Sequence, residues 1–256
     1  MFPRSDRQNN EADPQPHEKR DWPQHVQNTV RQGYQQFQDD TEPRWPAIVA
    51  LLGGVGLFAV LPRYLSFGPR WLPGTLVLAL LVPTIFTHMR GHHAVNRVLG
   101  LIVAGVETFF MIASLLKLIH SMLTPHSQAH MESPERLLMS AAALWLTNIL
   151  VFALWYWHLD AGGPNERDMS PGHCHGSFLF PQMTMTDERL AQSGQSGWSP
   201  GFVDYLFLAF NSSTALSPAD TAVLSRWAKL LMMVQAAISL TVIAILAARA
   251  INTLGG

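Results

Sequence analysis

Five long stretches with very few charged residues constrain the fold of this chain more than any other feature of its sequence. They cover residues 45–61, 71–88, 95–120, 137–159 and 227–251. A helix needs about 20 apolar residues to cross a hydrocarbon core of about 30 Å. We therefore predict an all-α membrane protein with five transmembrane helices. Its predicted partner is the lipid bilayer.

The average composition conceals this pattern. With 48% hydrophobic residues, 14% charged residues and a net charge of -1, the chain as a whole would suit a soluble domain. The charges are concentrated in residues 1–44 and 160–200, however. Residues 1–44 are also rich in proline, Gln and Asn, which predicts a polar, mostly disordered N-terminal tail. No basic cluster indicates a nucleic-acid partner.

A short apolar segment precedes the last stretch and is too short to cross a membrane. Ser199, Pro200 and Gly201 can open a helix, and Asp204 in its first turns is favoured by the helix dipole. The helix would have about 11 residues and a length of roughly 16 Å. Such a half-helix is tolerated at membrane depth only where its end is buried in protein or lines a wet cavity. We therefore predict a re-entrant helix over 201–213.

The segment NSSTALSPAD (211–220) follows this half-helix, and two interpretations of it stay open. It can line a pore, or it can be only the loop and cap between two membrane helices. Its end, Ser217 to Asp220, has the S-x-x-D pattern of a helix N-cap, with Pro218 at the first helical position. Ser225 is a second candidate start for the last helix.

Residues 220–229 resemble a segment of potassium-channel-like pore domains. Asp220 is followed by three residues, Leu224, Ser225, one residue, Trp227, a small residue and Lys229. The resemblance implies an outer helix (137–159), a turret (160–200), a re-entrant helix (201–213), a filter-like loop (214–220) and an inner helix (226–252). It also implies a homotetramer if the protein is a pore. The filter-like residues would be Ser213, Thr214, Ala215, Leu216, Ser217 and Asp220.

The loop departs from a potassium filter because it contains no glycine. Potassium filters use glycines to turn backbone carbonyl groups toward the ion. Potassium selectivity is therefore not implied by the resemblance.

The whole chain is also similar to a group of uncharacterised bacterial integral membrane proteins. The likeness lies in FLFPQM (178–183), GFVDYLFLAF (201–210) and WAKLLMMVQ (227–235). The likeness implies a location in the bacterial cytoplasmic membrane. It indicates an architecture and does not indicate an activity. Residues 45–120 would then be a separate three-helix membrane region.

Three residues with carboxyl or amide side chains, Glu107, Asn148 and Gln235, lie well inside predicted spans. Glu107 is near the middle of the third span, where an ionisable group is a candidate functional residue. We expect it to face the bundle interior with a partner among Thr147, Asn148 and Gln235. The alternatives are a relay for ions or protons and a protonated glutamic acid that bonds between helices.

Histidines near the predicted membrane surface form a candidate metal site. Loops 88–97 and 160–200 are separated by two spans and must lie on the same side. His88 and His92 have i, i+4 spacing, which can offer two nitrogen atoms to one ion. Interfacial histidines without a ligand are the alternative. The metal candidates are His88, His92, His173, Cys174 and His175.

The sequence contains none of the familiar catalytic motifs, so we predict a protein that is not an enzyme and needs no cofactor. The predicted function is passive ion conduction by a channel-like architecture without potassium-type selectivity. The alternative is a non-conducting membrane bundle for packing, scaffolding or sensing a small ligand or metal.

Overall fold

Helices occupy the five apolar stretches of the sequence, and shorter helices lie between the last two of them. The computed structural model describes residues 42–69, 71–90, 93–124, 133–169, 176–195, 197–214 and 221–254. In chain order the helices are α1 Trp45–Val60, α2 Leu72–Met89, α3 His93–Leu123, α4 Pro134–Leu159, α5 Pro164–Met169, α6 Asp187–Gln192, α7 Phe202–Thr214 and α8 Arg226–Leu254.

Three of these helices, α3, α4 and α8, are long and apolar enough to cross a membrane, whereas α1 and α2 are shorter apolar helices. Helix α1 has 16 residues because Leu61, which precedes Pro62, takes an extended backbone and ends it. At 1.5 Å per residue α1 covers roughly 24 Å, less than the hydrocarbon core of about 30 Å. The structure thus supports three of the five predicted spans, and the count of five stays a prediction.

Helix α4 is the central helix of the bundle. It packs against α1, α3, α7 and α8, while α2 packs mainly on α3. Side chains on several faces of α4 are therefore buried, among them Val151, Ala153 and Tyr156. A helix that is apolar all round is expected to be buried in this way.

Two very short strands connect the turret to the segment before α8. Phe178–Leu179 (β1) pairs antiparallel with Ala222–Val223 (β2), and the Leu224 amide donates to the Ser177 carbonyl at 2.8 Å. These bonds fix both chain segments at the same end of the bundle. They also place the start of α8 close to the turret.

Helix α7 has 13 residues, a length of roughly 20 Å. The Gly201 amide donates to the Asp204 carboxylate at 2.8 Å, which caps the first turn of α7. Helix α8 begins at Arg226, and the Ser225 hydroxyl accepts from the Ala228 amide at 3.3 Å. Ser225 is thus the cap of α8. A long helix that continues from Ser217 is excluded, because Thr221 to Ser225 are not helical.

Candidate functional sites in the helix bundle

Gln235 on α8 is fully buried and uses its whole side-chain amide. Its Nε2 donates to the Ala209 carbonyl at 2.7 Å and to the Ser213 hydroxyl at 2.8 Å, both on α7. Its Oε1 accepts from the Tyr156 hydroxyl of α4. One side chain therefore ties three helices together, and we call these bonds the glutamine network.

Asn148 on α4 extends the glutamine network. Its Nδ2 donates to the Ser239 hydroxyl at 2.9 Å and to the Gln235 carbonyl at 3.2 Å. Two of the three polar residues that the sequence places inside spans are thus brought together. Buried hydrogen bonds of this kind hold membrane helices in one register.

Glu107 is fully buried on α3 but does not join the glutamine network. Neither of its carboxyl oxygens has a hydrogen-bond partner among the described residues. Its expected partners are engaged elsewhere: Asn148 and Gln235 bond toward α8 and α7, and the Thr147 hydroxyl donates to the Ala143 carbonyl. Glu107 lies beside Gly54 of α1, where a Cβ would be 3.1 Å from Oε1. The expected pairing of Glu107 is wrong because the carboxyl group faces α1.

The filter-like residues are only partly described. The Ser213 hydroxyl is buried and bonded to Gln235, and the Thr214 hydroxyl donates to the Phe210 carbonyl at 3.1 Å. Ala215, Leu216, Ser217 and Asp220 lie outside the described residues. Whether this loop lines a pore stays a prediction.

The proposed metal ligands also fall largely outside the described residues. His92, His173, Cys174 and His175 lie there, and so does the side chain of His88. Among the residues that the structure describes, no three His, Cys, Asp or Glu side chains are grouped so that they could hold a metal ion.

A buried ionic cluster joins the start of α1 to the end of α4. The Arg167 guanidinium lies 3.0 Å from the Glu42 carboxylate, and both side chains are almost fully buried. Arg167 also donates to the carbonyls of Trp157 and Asp160 at 2.9 and 3.0 Å. The Trp157 indole N–H donates to Glu42. The ion pair is therefore held by several hydrogen bonds, and the Nε atom of Arg167 lacks a partner among the described residues.

The ionic cluster reaches α7 through Asp160. This carboxylate accepts from the Tyr205 hydroxyl at 2.7 Å and from the Ser177 amide. The Arg167 guanidinium lies over the Tyr205 ring at 5.1 Å. Burial raises the pKa of Glu42 above its usual value of 4.5, while Arg167 acts in the opposite direction.

A cavity of about 740 Å³ lies between α1, α2, α3 and α4 at the same end of the bundle. The first turns of α1 and α3 and the last turns of α2 and α4 form its wall. His158 packs so closely on α3 that a Cβ at Gly100 would be 2.4 Å from its Cε1. This contact agrees with the prediction that loops 88–97 and 160–200 share one side.

Sequence reasoning did not find the ionic cluster or the cavity. Glu42 falls within the predicted tail, although it is buried, and Arg167 lies near the start of the charged segment 160–200. The one available signal was an arginine that closely follows an apolar span end. In comparisons with known proteins, no family model, no curated protein and no solved structure matches this chain.

Proposed function

We propose that residues 137–254 form a channel-like pore unit of a bacterial cytoplasmic membrane protein, which conducts ions passively without potassium-type selectivity. The observation that carries the proposal is the position of α7. It is too short to cross a bilayer, and it packs against α4 and α8, the proposed outer and inner helices.

The end of α7 supports a wet environment. The last four carbonyl groups of a helix have no partner within the helix, so the end of a half-length helix needs water or protein donors. Of these groups in α7, the Asn211 carbonyl accepts from the Thr214 hydroxyl at 3.1 Å. In the proposal, water in a pore solvates the remaining carbonyl groups and the loop that follows.

The exposed surface of α8 supports assembly of several copies. Only 17% of its most apolar stretch is buried, against 67% for α4. The exposed side chains of α8 are large and apolar, as at Leu230, Met233 and Leu240. In the proposed homotetramer the α8 helices surround the pore axis, and neighbouring copies and lipid cover this surface.

Two measurements test the proposal together. Purified protein in proteoliposomes should pass small ions, assayed separately for potassium, sodium and chloride, and Asp220→Ala should change the rate or the selectivity. Subunit counting in detergent should give more than one copy. Flux no greater than that of empty liposomes, or a strictly monomeric protein, would contradict the proposal.

A non-conducting bundle that senses a small ligand is the second candidate, and the cavity between α1, α2, α3 and α4 favours it. The volume of about 740 Å³ lies within the usual range of ligand sites. A monomer without flux that binds a ligand in this cavity would support the second candidate. In both cases we propose a protein that is not an enzyme.

A further inference from the structure

The cavity between α1, α2, α3 and α4, which we call the four-helix cavity, has a mostly apolar wall. Each helix contributes aliphatic side chains, among them Leu51, Leu81, Leu101 and Leu154. Nothing in this part of the wall could bind a small hydrophilic solute. A hydrocarbon chain fits it, because apolar walls gain from covering apolar ligand surface.

One end of the four-helix cavity carries two arginine residues. Arg97 on α3 and Arg44 before α1 both line it, with Glu166 as the acidic group in the same wall. Arg44 is bonded to Asp168 at 2.9 Å, whereas Arg97 has no ion pair among the described residues. His158 lies in the combined field of Arg167, Arg44 and Arg97. Arg97 is therefore the arginine of this end whose guanidinium can pair with an anionic ligand.

Two buried amide groups at the same end lack partners. The Oδ1 atoms of Asn96 and Asn165 have no hydrogen-bond partner among the described residues, and the two residues are 8% and 6% exposed. Both residues line the four-helix cavity. Buried amide oxygens almost always accept a hydrogen bond. These two can therefore accept one from a hydroxyl or amine group of a ligand.

We propose that the four-helix cavity binds one phospholipid whose headgroup carries both an anionic phosphate and free hydroxyls, as in phosphatidylglycerol. The phosphate lies at Arg97, because arginine binds phosphate with two parallel N–H donors. The headgroup hydroxyls donate to Asn96 and Asn165, and an acyl chain lies along the four leucines of the wall. Basic pockets between membrane helices at the bilayer surface suit anionic headgroups in this way.

This site is independent of the proposed pore. It is built from α1, α2, α3, the end of α4 and the start of α5, and none of its lining residues belongs to the glutamine network. Lipid binding can thus be present or absent whether or not the protein conducts ions.

Native mass spectrometry of the full chain, with added phosphatidylglycerol or phosphatidylcholine of the same acyl composition, tests the proposal. Wild type should prefer phosphatidylglycerol. Arg97→Ala should reduce this preference about fivefold, since one cation near the surface contributes roughly that factor. Arg63→Ala, which removes the same charge beyond the other end of α1, should leave the preference unchanged. Arg97→Lys should restore part of it.

A second variant tests the location of the acyl chain. Leu81→Phe fills part of the wall and should weaken the binding of both lipids, and its unfolding temperature in detergent without lipid reports whether it folds. If it does not fold, Leu101→Phe makes the same test from α3. Unchanged binding in a folded variant would overturn the proposal.

Soluble anions separate a lipid from a phosphate site. Inorganic phosphate and glycerol phosphate should raise the unfolding temperature less than phosphatidylglycerol does at equal concentration. An equal effect of either anion would overturn the lipid assignment, as would equal lipid preference in Arg97→Ala and Arg63→Ala.

Discussion

The two sides of α4 differ in how many of their buried polar side chains have hydrogen-bond partners. Toward α7 and α8, the side-chain amides of Gln235 and Asn148 donate four hydrogen bonds between helices, and only the Oδ1 atom of Asn148 lacks a partner within these two amides among the described residues. Toward α1 and α3, Glu107, Asn96 and Asn165 keep oxygen atoms without a partner among the described residues. Most amide groups of the first side are hydrogen-bonded within the protein, whereas three side chains of the second side keep carboxyl or amide oxygens that can bind a ligand.

This difference distinguishes polar residues that hold the helices together from polar residues that can bind a ligand. A satisfied polar network specifies one arrangement of helices, because any shift leaves several groups unbonded. Polar groups without a partner beside a cavity do not fix the arrangement of the helices. They favour the binding of a ligand that forms hydrogen bonds with them. We therefore expect mutations on the α7–α8 side to act on stability and assembly, and mutations on the α1–α3 side to act on ligand binding.

The largest effect is expected where the two sides join, in the ionic cluster. Arg167→Ala should lower the free energy of unfolding by about 3–5 kcal/mol, because it leaves the buried Glu42 carboxylate without its cation. Unfolding in mixed detergent micelles measures this change. Arg189→Ala, an exposed arginine of α6, is the control and should change stability by less than about 0.5 kcal/mol. Similar values for both variants would show that the cluster does not join the two sides.

The glutamine network should give the next largest effect. Gln235→Leu removes the partners of Ala209, Ser213 and Tyr156 and should cost about 2 kcal/mol. Thr241→Val is the matched control on α8, since the Thr241 hydroxyl bonds only to the carbonyl of Ala237 in its own helix. If both variants were equally stable, the α7–α8 side would not be held by its polar bonds.

Two glycines of α3 provide a paired test of packing on the cavity side. At Gly100 an added Cβ would meet His158 at 2.4 Å, whereas no atom of the described residues lies within 4 Å of a Cβ at Gly105. Gly100→Ala should therefore destabilise the protein by about 1–3 kcal/mol. Gly105→Ala should stabilise it by up to about 1 kcal/mol, because alanine is the better helix former. Thermal unfolding of both variants in one detergent measures the difference in sign.

The smallest effect is expected at Glu107. Glu107→Gln should change the free energy of unfolding by less than about 1 kcal/mol, because neither carboxyl oxygen has a hydrogen bond to lose among the described residues. Ion flux and proton coupling should be measured on the same sample. A large loss of either with stability unchanged would assign Glu107 a relay role and sharpen the contrast between the two sides.

The sequence predicts the helices better than their partners. Hydropathy locates all five apolar helices, and the half-length α7 follows from its caps and length. The hydrogen bond between Asn148 and Gln235 is harder to predict from the sequence, because it depends on which faces of the helices meet. Glu42 and Arg167 are 125 positions apart, and nothing local in a polar tail or a charged turret indicates that they form a buried pair.

The ends of the short helices are also not predicted accurately from the sequence. The sequence predicts a span over residues 45–61, and the extended Leu61 before Pro62 leaves α1 at 16 residues. Whether α1 and α2 cross the bilayer depends on how far the surrounding lipid adapts to short helices, which is a property of protein and membrane together.

The central claim is that α7 ends at a water-filled pore. Its most direct test is ion flux through proteoliposomes that carry Thr214→Cys, at the last residue of α7, in a Cys174→Ser background. A charged, membrane-impermeant thiol reagent should reduce this flux, while Thr75→Cys on the outer surface of α2 should be insensitive. Equal insensitivity of the two variants, or no flux in the unmodified protein, would contradict the account.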